Sequence, residues 1–143
     1  GVVIEGGSAT GTRVAGNRIG TNAPGTAALG NGRAGVRVVG ATDTRIGTNG
    51  DGVRDALEGN LISGNRQEGV AVEGGSRTRV AGNRIGTNAA GTAAVLNVGN
   101  GVAVRGGATD TVVGTDLDGS GDAAEGNQVA TGGTAAVLVT GTG

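Results

Sequence analysis

Short alternating apolar segments recurring every 32 to 35 residues, a twelve-residue string written twice, and Gly- and Asn-rich corners between them predict one fold class. It is all-β: a right-handed, three-sided parallel β-helix (β-solenoid) of about four turns with alternating loop insertions. The duplicated string, TRVAGNRIGTNA, runs from Thr12 to Ala23 and again from Thr78 to Ala89. An active site needs its chemistry once, so identical repetition points first to a building unit.

The first element of each unit is a strand: GVVIEGG from Gly1, GVRVVGA from Gly35, GVAVEGG from Gly69, GVAVRGG from Gly101 and AAVLVTG from Ala135. The apolar residues alternate in each, as Val2 and Ile4, Val36 and Val38, Val70 and Val72, Val102 and Val104, Val137 and Val139. Period two means a strand with one buried face. These strands divide a single domain into units 1–34, 35–68, 69–100 and 101–134, with a partial unit 135–143.

A second apolar mark follows in each unit (Val14, Ile46, Val80, Val113), then a third set just after an asparagine (Ile19, Ile62, Ile85, Val129). Even units carry an insertion of eleven residues between these marks, while odd units lengthen the next corner, from Asn22 to Gly35 and from Asn88 to Gly101. Without insertions a unit has 23 to 25 residues. That suits one turn of three short strands, each stacked on its equivalent about 4.8 Å away. Sandwiches and propellers need antiparallel hairpins, whereas this spacing returns to the same strand in the same direction. Parallel crossovers are right-handed. Asn17, Asn60, Asn83 and Asn127, each preceded by Gly, fall at one corner, where Asn tolerates a left-handed backbone and its amide reaches the copy one turn away.

Composition narrows the function. The chain has no aromatic residue, Cys, Met or His; its eleven basic residues are all Arg. The core is therefore narrow and aliphatic. With 34 Gly but one Pro and no Gly-X-Y period, the chain is neither collagen-like nor, given its regular Val and Ile, disordered. A net charge of −1 without a basic stripe, and no ring on which a base could stack, argue against nucleic acid. No apolar run reaches the length of a membrane span. Lack of Cys rules out disulfides and thiolate metal sites. Opening at Gly1 in mid-pattern, the chain reads as a piece of something longer or a processed unit.

The stretches NRIGTNAPGTAALGNGRAGVRV (Asn17 to Val38) and NLISGNRQEGVAVEGG (Asn60 to Gly75) resemble the paired repeats of large secreted or surface-attached bacterial proteins with right-handed parallel β-helix repeats. Their signature reads approximately N-x-I-G-T-D-x-x-G-T-A-A-L-G-N, then N-x-I-S-G-N. The resemblance covers essentially the whole chain and implies arms of adhesin or matrix proteins at the bacterial surface. Asn22 and Asn88 stand where that pattern has Asp, and Arg stands where an aromatic often precedes the Ile.

The insertions hold the sharpest chemistry: GTNGDGVRDALEGN (Gly47 to Asn60) and GTDLDGSGDAAEGN (Gly114 to Asn127). The second offers oxygens at Asp116, Asp118, Ser120 and Asp122, then Glu125; the first offers Asn49, Asp51, Asp55 and Glu58, with one carboxylate fewer. A loop donating every second residue suits a hard cation that takes six to eight oxygens, so structural Ca²⁺ is expected at these residues. The pattern is similar to the start of an EF-hand loop and to thrombospondin type 3 and dockerin-like calcium segments. The alternative is that Asp-Gly pairs simply make turns. Two turns apart, the loops are expected on one side of the molecule, about 10 Å from each other.

Arg13, Arg45 and Arg79 align on consecutive turns, outward beside Val14, Ile46 and Val80. The row reads either as a solvated face near Glu5 and Glu73 or as a grip on an acidic polysaccharide. Arg54 inside an acidic loop keeps a polysaccharide lyase in view. Against an enzyme, the carboxylates recur with the repeat rather than clustering once, and no aromatic platform holds a sugar. The expected role is a non-enzymatic structural segment of an extracellular or cell-surface solenoid, its edges covered by neighbouring turns of a longer chain or by head-to-tail self-association. A glycan-binding module is the alternative.

Overall fold

Alternation in the first strand of every unit turns Ile4, Val36, Val38, Val70, Val72, Val102 and Val104 into one continuous apolar column. In the computed structural model, which describes residues 1 to 141, these strands are β1 (Val2–Glu5), β4 (Val36–Val39), β7 (Val70–Glu73), β10 (Val102–Arg105) and β13 (Val137–Val139). They form a parallel sheet in that order. Thr142 and Gly143 of the partial unit 135–143 lie outside the described residues.

The second apolar marks form a four-stranded sheet from β2 (Arg13–Val14), β5 (Arg45–Gly47), β8 (Arg79–Ala81) and β11 (Val112–Val113). The third marks form another, from β3 (Arg18–Ile19), β6 (Leu61–Ile62), β9 (Arg84–Ile85) and β12 (Gln128–Val129). The chain is thus a three-sided parallel β-solenoid of about four turns. Val14, Ile46 and Val80 close the core from the second side and Ile19, Ile62 and Ile85 from the third.

The first sheet has a feature that period two does not show. Its outward residues Ala71 and Ala103 are also buried. An ion-paired net of Arg37, Glu68, Glu73 and Arg105 joins neighbouring turns beside them.

The asparagine corner forms a ladder as its spacing predicts. Asn60 Oδ1 accepts from the backbone N–H and side-chain amide of Asn17 at 3.0 and 3.2 Å, Asn83 does the same for Asn60, and Asn127 for Asn83. A second ladder, which spacing does not single out because odd and even loops reach it differently, joins Asn31, Asn65 and Asn97. Both ladders run in one sense, each oxygen accepting from the turn on its N-terminal side.

The alternating insertions have a shared logic. Each even-unit loop folds back over the bare corner of the preceding turn, where Glu58 O accepts from Gly16 N–H at 2.8 Å and Glu125 O from Gly82 N–H at 2.7 Å. The odd-unit loop does the same at the next corner, with Val95 O accepting from Gly64 N–H at 3.0 Å. Asn22 and Asn88 hold these odd loops by accepting from the backbone N–H groups of Thr26 and Thr92 at 2.8 and 2.9 Å. An acceptor oxygen is all that corner requires, and Asn supplies one as Asp would. The structural repeat is therefore two turns, which is why the identical string recurs after two units.

Candidate metal centre and the arginine ladder

Both acidic loops leave the second sheet, make a sharp Gly-rich turn and return through one helical turn, α1 (Asp55–Glu58) and α2 (Asp122–Glu125). Helical turns are not legible from the alternating acids; they turn the last two acids of each loop back toward the loop's own start. In the first loop Asp55 is buried, accepting from the Thr48 hydroxyl at 2.9 Å and Gly52 N–H at 3.0 Å. Glu58 accepts from Asn49 N–H at 2.8 Å. Asn49 and Asp51 bond each other, amide to carboxylate, at 2.7 Å.

The second loop repeats part of this pattern. Glu125 accepts from Asp116 N–H at 3.1 Å, Asp122 lies 3.3 Å from the Thr115 hydroxyl, and Asp118 accepts from Ser120 N–H at 2.7 Å. Here, however, carboxylate oxygens of Asp116, Asp118 and Asp122 all lie within 4.8 Å of one another. Among the described residues this is the one such group of three. Their hard oxygen donors on a mostly exposed loop fit a calcium ion. The first loop does not gather its donors in this way, because Asp55 faces inward.

The arginine ladder is formed as aligned, Arg13 beside Arg45 and Arg45 beside Arg79, but its surroundings differ from the expected Glu5 and Glu73. Glu73 lies on the first sheet, paired with Arg37 and Arg105. The ladder instead faces the acidic loops, which fold over the second sheet. Arg13 is 3.9 Å from Glu58, and Arg79 bridges Asp116 and Glu125. Burial works to raise the Asp116 carboxyl, and the Arg79 hydrogen bond and Asp118 N–H outweigh it, holding the group below its ordinary value. The Val53 N–H, the Asn49 amide and the fields of Arg13 and Arg45 lower Asp51 likewise.

No protein-family model, curated protein or solved structure matches the chain.

The loops leave strands two rungs apart, β5 and β11, and touch each other beyond the sheet. Glu125, with no exposed surface, is wedged against Gly50 of the first loop, and Gly121 of the second lies against the Gly50 carbonyl. A Cβ at Gly50 would collide with the Glu125 carboxylate. The loops bend toward each other because the turn between them carries no insertion and leaves that space open. Glu125 is thus the keystone: it touches its own loop, the other loop and the ladder. Arg54 is exposed at the start of α1 with φ of 62°, a left-handed conformation that Gly121 supplies in the second loop. It makes no ion pair among the described residues.

Proposed function

We propose that this chain is a non-enzymatic structural segment of an extracellular or cell-surface solenoid, an adhesin stalk or matrix-fibre unit, whose second acidic loop takes a structural calcium ion. The observation that carries this reading is where the polar groups are directed. Asn ladders, ion pairs and loop carboxylates mostly join one turn to another, as a load-bearing column requires and a catalytic cleft does not. The one-way hydrogen-bond sense of both ladders supports head-to-tail continuation, since a turn added in the opposite sense would set acceptor against acceptor at the N-terminal end and donor against donor at the C-terminal end. Asp116, Asp118 and Asp122 would hold the ion, and its charge would offset their mutual repulsion.

Light scattering and negative-stain microscopy, with millimolar calcium and then with chelator, test the reading. The expected result is rods or fibres of uniform width that shorten or dissolve on chelation. Compact monomers under both conditions would overturn the assembly role, and steady release of unsaturated product from an acidic polysaccharide would overturn the non-enzymatic one.

A further inference from the structure

The third sheet sets Arg18, Leu61, Arg84 and Gln128 in register on its outer face, with Leu61 buried between the two arginines. Loops rise on both sides of it, Ala56 and Leu57 of α1 on one side and Ala89 of an odd-unit loop on the other, so that a groove runs along the solenoid axis. The groove continues past Arg84 to Gln128 beside Ala124. Among the described residues no acidic residue lines the stretch containing Arg18, Leu61 and Arg84; Asp55 lines the adjoining stretch, which Arg84 also borders, and is itself buried and hydrogen-bonded to Thr48. Arg18 and Arg84 are exposed and make no ion pair or side-chain hydrogen bond among the described residues. They differ in this from Arg37, Arg79 and Arg105, which hold carboxylates of the protein itself.

We propose that this groove binds an acidic polysaccharide carrying one carboxylate for every two sugars, with Arg18 and Arg84 each taking a carboxylate and the sugar between them crossing the rung of Leu61, which is itself buried. The two arginines are two rungs apart, about 10 Å. A pyranose advances its chain by about one rung, so carboxylates on alternate sugars match the arginine spacing. An extended peptide does not match: its same-face side chains recur at about 7 or 14 Å. A single-stranded nucleic acid would want aromatic stacking platforms, and the chain has no aromatic residue. Planar guanidinium forks suit carboxylate oxygens, and in an open groove each contact is modest. Arg18 and Arg84 lie outside the calcium loop, whose Ala124 borders only the Gln128 end of the groove, and the site stands whether or not the solenoid assembles into fibres.

The test is fluorescence anisotropy of a labelled hyaluronan octasaccharide with the full chain, at low salt and in chelator. Saturable binding is expected, weakened about threefold to fivefold by Arg18→Gln or by Arg84→Gln and at least about tenfold by both. Arg33→Gln and Arg66→Gln, which remove the same charge from exposed positions elsewhere, should leave binding within about twofold. Melting curves should stay unchanged in every one of these variants. Failure to saturate, or equal binding by the double variant, would overturn the proposal. So would a neutral chitin oligosaccharide, a poly-glutamate peptide or an oligothymidylate binding as tightly as the acidic sugar.

Discussion

Thr44 and Thr78 are each 1% exposed, and their hydroxyls have no hydrogen-bond partner among the described residues. A buried hydroxyl without a partner is a cost that an isosteric methyl removes, and both residues directly precede strands, where β-branching is favoured. Thr78→Val is therefore expected to stabilise the protein by about 1 kcal/mol, read as a higher urea midpoint at constant slope. Arg54→Gly should also stabilise, by a few tenths to about 1 kcal/mol, because it relieves the left-handed backbone at the cost of some unfolded-state entropy. Arg54 invites a functional reading from sequence alone; in the structure it holds the left-handed start of α1.

Acid lability belongs to the residue scale as well. The hydrogen bond from Arg37, against the opposing effect of burial and with further help from Arg105, holds the Glu73 carboxyl below the ordinary glutamate value. A carboxyl with a depressed folded-state value stabilises the protein above its unfolded value, and that contribution is lost as pH falls through the folded value. Stability should therefore drop as pH falls below about 4.5, and Glu73→Gln should flatten part of that slope in urea titrations at several pH values.

At the scale of elements, the ladders decide how turns hold together. Asn83 is buried and bonds Asn60, Asn127 and the carbonyls of Ile46 and Ala81, whereas Asn17 is an exposed end rung. Asn83→Ala should cost about 2–4 kcal/mol by stranding several buried groups, and Asn17→Ala less than about 1, compared by chemical denaturation. The strands and the first ladder were legible because their signals are local and periodic: alternating Val and Ile, and Gly-Asn at a fixed corner. The second ladder was hidden because Asn31 and Asn97 end long loops while Asn65 ends a short corner. The loops were half legible. Their acids marked a cation-friendly region, but nothing in either loop alone shows that Gly50 makes room for Glu125, or that Arg79, on the turn without an acidic loop, faces the second loop. Those contacts join residues far apart in sequence through the stacking itself.

Over the whole molecule, the unit of construction is a pair of turns, each kind of loop covering the corner that the other kind leaves bare. Calcium at Asp116, Asp118 and Asp122 should strengthen this pairing, since the second loop packs on the first. Saturating calcium should raise the melting temperature by mass action, and Asp118→Asn with Asp122→Asn should abolish that rise while leaving the chelated protein close to unchanged. Equal melting with and without calcium would remove the ion from the account.

The central claim is that the arginine ladder and acidic loops lock the turns through Glu125. It is tested most directly by a double-mutant cycle of Arg79→Met and Glu125→Gln, followed by denaturation in chelator. Removing Arg79 leaves a carboxylate with no exposed surface unpaired, and should cost about 3–5 kcal/mol. The double variant should recover part of that loss, giving a coupling of about 1–3 kcal/mol. Additive effects, with coupling below about 0.3 kcal/mol, would contradict the lock and return the arginines to a solvated face.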